Sequence, residues 1–191
     1  MDSETADNCL NILIINLHSC RNAGDDALAR QAIQQLASAF PRGAFTLAMN
    51  DPQSYSGKER VVDSFTSWIK PIGMDSHGWR WRVVPALVLQ SLLAVIGFRL
   101  TGRPWCCFLS PKRRALLQAY FEADLVVSAA GNFLYSSGKL GVPFMLSVFT
   151  ILYAQLAAKP TYTLPQTLGP IRRRHENWLA QQVLARMRLV L

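Results

Sequence analysis

Apolar and polar positions along the chain follow two alternating periods. Residues 10–17, LNILIINL, form an almost unbroken Ile-rich apolar run, the pattern of a strand buried on both faces. Over 26–40, DALARQAIQQLASAF, apolar residues recur at helical spacing: Ala27, Leu28, Ala32, Ile33, Leu36, Ala37 and Phe40. Asp25 or Asp26 stands where a helix cap is needed. PRG ends this helix, AFTLAMN predicts a second strand stopping at Asn50-Asp51-Pro52, and a weaker third strand is expected near ERVVDSF.

Further along, EADLVVSAAGN reads as a strand followed by a Gly turn, and GVPFMLSVFTILYAQLAAK as a long apolar helix. PTYTLPQTLGP predicts another strand ending in a Gly-Pro turn, HENWLAQQVLARM a helix, and RLVL the start of one more strand. This alternation predicts an α/β fold with a Rossmann-like, doubly wound parallel sheet. Ligands of such sheets bind outside the carboxyl ends of the strands, so the turns 21–26, 129–137 and 165–174 are expected to converge there.

Composition narrows the class. The chain has 191 residues, half of them hydrophobic and 17% charged, enough for one domain with a core and too apolar for a disordered or fibrous chain. The formal charge of +8 favours anionic partners: nucleic acid, acidic lipid or phosphorylated small molecules. The basic residues are scattered and accompany no recognition motif, so no nucleic acid is expected. Cys9, Cys20, Cys106 and Cys107 lack zinc-type spacing and read as free thiols of a reducing compartment. His18 and His77 have no metal-ligand partners at recognisable spacing, so no metal is expected. Residues 1–9 are expected to be disordered, and their acidic character lacks the basic region of a secretory signal, which predicts a cytoplasmic protein.

One segment departs from the α/β rhythm. Residues 78–105 read as an apolar helical insertion whose core, 83–98, is almost uncharged but, at 16 residues, falls short of the roughly 20 needed to span a bilayer. Trp79, Trp81 and Trp105 interleave with Arg80, Arg82, Arg99 and Arg103 in the manner of interfacial anchors. Two readings stand: a helix lying on the inner face of a membrane, and a helix buried in the core or between domains.

The predicted turns carry the candidate chemistry. In NAGDDAL, Gly24 predicts a turn with positive φ, Asn22 a side chain bonded to the turn backbone, and Asp25 and Asp26 one carboxylate that caps the helix while the other faces the cleft. A carboxylate there suits a hydroxyl better than a phosphate. Gly131 and Asn132 can present backbone N–H groups to an anion, with Ser136, Ser137 and Lys139 extending a polar wall. Arg172, Arg173 and Arg174 can bind carboxylate or phosphate, and His175 can donate a proton. Each of these turns also has a purely structural reading, as a Gly turn, a helix cap or a solvated basic loop.

Together, NAGDDAL (22–28), SAAGNFLY (128–135) and LPQTLGPIR (164–172) resemble the three turn motifs of the polysaccharide pyruvyl transferase family. The resemblance implies a two-domain GT-B-like fold of which residues 10–191 are the N-terminal half, with the C-terminal domain absent. It implies transfer of pyruvate from phosphoenolpyruvate, as co-substrate and without a cofactor, onto two hydroxyls of a sugar, forming a ketal on a cell-surface polysaccharide or its lipid-linked precursor. On this resemblance Asp25, Asp26 and His175 are the catalytic candidates, and Asn22, Gly24, Gly131, Asn132, Gln166, Gly169, Arg172 and Arg173 the substrate-binding ones. Ala129 and Ala130 stand where the family tends to have glycine, and Asn16 where a small residue is common. Two alternatives carry other expectations: a GT-B glycosyltransferase half using a nucleotide sugar, and a non-catalytic module binding a membrane or a partner. A site formed between two halves predicts that the isolated chain is inactive.

Overall fold

The computed structural model describes the backbone of residues 9–69, 77–136 and 141–190, and the side chains of 9–69, 84–136 and 141–188. The expectations for residues 1–8, for Ser137 and Lys139, and for the side chains of Trp79 and Trp81 lie outside the described residues.

The predicted apolar runs become the centre of a parallel sheet. Strand β1 (Asn11–Leu17) lies between β2 (Ala44–Met49) and β4 (Leu125–Ser128), with β3 (Arg60–Asp63) beyond β2 and β6 (Thr161–Thr163) and β8 (Leu189–Val190) beyond β4. Every adjacent pair is parallel, giving the order β3-β2-β1-β4-β6-β8. Ile12, Leu13, Ile14 and Ile15 are all buried, which explains why β1 lacks an alternating pattern. Each such side chain contributes roughly 2 kcal/mol over its exposed state.

Helices cover both faces. Helix α1 (Ala23–Ala39) packs through Ala29 and Leu36 against Ile12, Ile14 and Leu47. The other face, with Leu13 and Ile15, joins a larger core built with α2 (Phe65–Ile69), α3 (His77–Thr101), α4 (Pro111–Glu122), α5 (Val142–Leu156) and α6 (Arg174–Leu184). At its heart, Phe65 meets Tyr153 edge to face at 5.2 Å, and Tyr153 meets Tyr120 at 5.0 Å.

Four differences from the sequence-based expectation concern local structure. Helix α1 starts at Ala23 rather than Asp26, because Asn22 caps it. The expected strand over PTYTLPQTLGP divides at Pro165 into β6 and a separate β7 (Gln166–Leu168). Gly131 is not merely a turn residue but begins β5 (Gly131–Leu134), which pairs with β7 in a two-stranded parallel ribbon. Helix α4, absent from the predicted elements, buries Leu116, Leu117, Tyr120 and Phe121.

Helix α3 packs one side on the domain, in keeping with the buried reading of the apolar insertion. Leu87, Ser91, Ala94 and Val95 are buried against the domain, where the Tyr153 hydroxyl donates to the Ser91 carbonyl at 3.0 Å. The opposite side is exposed.

Candidate active site

The chain diverges at the carboxyl ends of β1 and β4: one leads to α1 on the first face, the other into the β5–β7 ribbon. A crevice of about 540 Å³ opens there. One wall comes from the end of β1 and the start of α1, with His18, Asn22, Gly24 and Asp25; the other carries Ala130, Gly131, Asn132, Pro165 and Thr167. All three predicted turns thus contribute to a single crevice.

The end of β1 is shaped by Asn16. Its φ of 62° is left-handed, a conformation Asn tolerates better than most residues, and the β1–β2 register slips between Ile14 and Leu17. Its side chain holds the bulge: Nδ2 donates to Ser128 Oγ at 3.0 Å, and Thr150 Oγ1 donates to its Oδ1 at 2.9 Å. Asn16 is therefore a bulge residue of the strand rather than part of the first turn. His18 follows, where Asn50 Nδ2 lies 3.3 Å from its Nδ1 and Ser64 Oγ donates to Asn50 Oδ1 at 2.5 Å. The His18 ring also meets Phe133 of the opposite wall, centroid to centroid 5.8 Å.

The start of α1 corrects the expected division of labour among Asn22, Gly24, Asp25 and Asp26. Asn22, not an aspartate, is the cap: its Oδ1 accepts from the Gly24 N–H at 3.0 Å. Gly24 lies within the helix and is not a positive-φ residue; an added Cβ would meet only Asn22 Oδ1, at 3.4 Å. Asp25 lines the crevice. Asp26 instead accepts from Arg30 Nε at 2.8 Å, one turn along the helix. That bond holds the Asp26 carboxyl below the usual carboxylate range, while burial, followed by the Asp26 carboxylate, pushes the nearby Cys20 thiol up.

The β5–β7 ribbon places Gly131 and Asn132 in the crevice. A Cβ on Gly131 would come within 2.6 Å of Phe133 Cε1, so glycine allows Phe133 to pack inward. Gln166, opposite Gly131 in the ribbon, turns toward the sheet: its Nε2 donates to Ser128 Oγ at 2.9 Å and to Thr163 Oγ1. Its Oε1 is buried and has no hydrogen-bond partner among the described residues. A Cβ on Gly169 would fall on Tyr135, so this glycine permits the close approach of the two ribbon strands.

The basic segment is not brought to the crevice. Arg172, Arg173 and His175 are not among its lining residues, and their sequence proximity to the third turn does not carry them there. Arg173 Nη1 instead donates to Glu176 Oε1 at 2.5 Å, and the Arg172 N–H donates to Ser136 Oγ at 2.8 Å. Arg172 and His175 are exposed.

The expected site residues omit two that the structure brings forward. His18 stood at the end of a buried strand, at the sheet edge where ligands gather, and that position was the available signal. Glu176 is fully buried and accepts from Ser136 Oγ and Arg173; burial pushes its carboxyl up, but these two hydrogen bonds outweigh it and hold the group below its ordinary range. No local pattern announces its burial.

Comparison with known proteins adds one finding. The family model for polysaccharide pyruvyl transferase matches residues 22–190, a stretch that contains α1, the ribbon and the basic segment. Among curated proteins and among solved structures, none matches the chain. With nearly the whole chain matched, and with the three resembling motifs all contributing to one crevice, the protein belongs to the polysaccharide pyruvyl transferase family.

Proposed function

We propose that the chain carries the acceptor side of a pyruvyl transfer, its crevice holding a sugar with two neighbouring hydroxyls. One observation carries this reading: His18, Asn22, Asp25, Asn132 and Thr167 line the crevice, and no Lys or Arg among the described residues does. Such a wall exchanges hydrogen bonds with hydroxyls and lacks the cations a triply charged phosphoenolpyruvate requires. The donor then belongs on the side of the exposed Arg172 and His175, outside the crevice.

In the overall reaction, two sugar oxygens form bonds to C2 of phosphoenolpyruvate, the bond from C2 to the phosphate oxygen breaks, and C3 becomes a methyl group. One hydroxyl proton ends on C3 and the other leaves with inorganic phosphate, so no redox cofactor is required. On this proposal Asp25 accepts a hydroxyl proton and the imidazole of His18 donates to or accepts from the second hydroxyl, roles supported by the presence of both residues in the crevice lining. In this reading the acceptor is a cell-surface polysaccharide or its lipid-linked precursor, on the cytoplasmic side. A GT-B-like arrangement, with a second α/β unit closing over the crevice, completes the site, and turnover requires that unit.

The test is ligand-induced thermal stabilisation and saturation-transfer NMR with phosphoenolpyruvate, simple glycosides and nucleotide sugars. Glycosides are expected to bind with contacts to the crevice, and nucleotide sugars to have no effect. Stabilisation by nucleotide sugars with no response to glycosides or phosphoenolpyruvate would overturn the reading in favour of a glycosyltransferase.

A further inference from the structure

The exposed side of α3 is a continuous apolar stripe. Leu89, Leu93, Ile96 and Leu100 are spaced 4, 3 and 4 residues apart, which places them on one helical face, and they are 38–74% exposed. The chain just beyond the helix adds two more exposed aromatic side chains. Cys106 and Leu109 are buried anchors, whereas Trp105 and Phe108 between and beside them stay 46% exposed. The Trp105 ring lies against Gly97, where any Cβ would collide with it. An apolar face of this kind exceeds the scattered exposed side chains usual for a soluble surface.

Charge identifies what covers it. Residues 76–121 contain no Asp or Glu, yet they carry Arg80, Arg82, Arg99, Arg103, Lys112, Arg113 and Arg114. Of these, Arg99, Arg103, Lys112 and Arg114 are exposed, and no carboxylate among the described residues pairs with them. A protein partner of ordinary composition has no need of such a one-sided field, whereas an anionic bilayer offers both hydrocarbon and a sheet of negative charge. The 18-residue window Val84–Thr101 is apolar enough to cross a membrane, with a mean hydropathy of 1.7. Its other face, however, is committed to the domain through Leu87, Ala94 and Val95, which favours lying along the surface over crossing it.

We propose that the α3 stripe, together with Trp105 and Phe108, docks the protein onto an anionic lipid surface, with the apolar side chains entering the acyl boundary and Arg99 and Arg103 contacting headgroups. This surface is separate from the crevice, and its function does not depend on which reaction the crevice supports.

The test is flotation of the 191-residue chain with vesicles of phosphatidylcholine alone or with 30% phosphatidylglycerol (about a third anionic lipid, chosen to give a strongly negative surface). Wild type is expected to float with the anionic vesicles, and raising the salt to about 0.5 M is expected to weaken binding by tenfold or more. Leu93→Glu with Ile96→Glu places two carboxylates on the exposed face and is expected to abolish flotation with an unchanged far-ultraviolet circular dichroism spectrum. Arg99→Gln with Arg103→Gln is expected to lower binding by about tenfold or more, since each cation near such a surface is worth roughly fivefold. Failure of wild type to float, or equal binding to neutral vesicles, overturns the proposal. It is equally overturned if the double Glu variant floats normally but converts a sedimenting dimer to monomer, which makes the stripe an interface between two copies.

Discussion

Asn50 and His18 meet side chain to side chain at 3.3 Å, at the adjoining ends of β2 and β1. The Asn50 carbonyl oxygen already accepts from Ser64, so its amide nitrogen faces His18 Nδ1 and makes that nitrogen an acceptor. With Asn50 in this orientation, the neutral imidazole is expected to carry its proton on Nε2. Nitrogen-15 spectra recorded with the ring neutral should show the Nε2–H tautomer. Asn50→Asp offers only acceptors and should move the proton to Nδ1; retention of the Nε2–H form in that variant would show that Asn50 does not set the tautomer.

Asp25 and Asp26 are neighbours with opposite commitments, one lining the crevice and the other paired with Arg30. Asp25→Asn should weaken glycoside binding tenfold or more, since a hydrogen bond to a charged group contributes roughly 1.5–3 kcal/mol. Asp26→Asn should leave that affinity within about twofold, because its bond to Arg30 is directed along the helix and away from the ligand. Calorimetric titration of both variants with the same glycoside separates them, and equal losses would contradict the placement.

Two glycines should respond in opposite ways to alanine. At Gly24 the backbone is helical and an added Cβ touches only Asn22 Oδ1, so Gly24→Ala should stabilise the fold by about 0.5 kcal/mol while narrowing the crevice and reducing glycoside affinity. At Gly141 the φ is +65° and the Cβ would fall on Glu176 Oε1, so Gly141→Ala should destabilise by about 2 kcal/mol or more. Urea denaturation of both variants at one pH checks the signs.

Glu176 gives the fold an acid-sensitive point. Its carboxyl lies below its ordinary value of 4.5, so on acidification the unfolded chain takes up that proton before the folded one. The stabilisation is fully present above about pH 4.5 and is lost as the pH falls through the lower folded value. Glu176→Ala, which leaves Arg173 without this partner, should cost about 3 kcal/mol at pH 7, and the gap to wild type should shrink at pH 4 and below. A gap independent of pH would mean that packing rather than charge makes Glu176 valuable.

The parts of this fold written in hydrophobic period were readable from the chain. The buried run of β1, the helical spacing of α1 and the strand at RLVL all appear close to where they were expected, since burial on two faces or one leaves a direct trace in residue order. What depended on distant partners was not readable. The bulge at Asn16 needs Ser128 and Thr150, more than a hundred residues away. The burial of Glu176 needs Ser136 from the ribbon and Gly141 from the start of α5. Asn22 reads as a backbone-bonding residue, but the pair of acids beside it is the more conspicuous cap signal and shifts the expected helix start to Asp26. The arginines after Gly169 were expected at the crevice because they follow its third turn, yet α6 draws Arg173 to Glu176 instead.

The two sides of the crevice rest on different foundations. The α1 side is backed by the cluster of Ile12, Ile14, Leu36 and Leu47, whereas the ribbon side is backed by Phe133, Leu134 and Phe144 in the larger cluster. A packing change under one side is therefore felt first by that side, leaving the other as a fixed reference. A lineage built on this plan can revise the contour of the crevice in halves. Drift beneath Asn132 and Thr167 can reshape their wall without disturbing Asp25 on the other, so the two walls can evolve at separate rates.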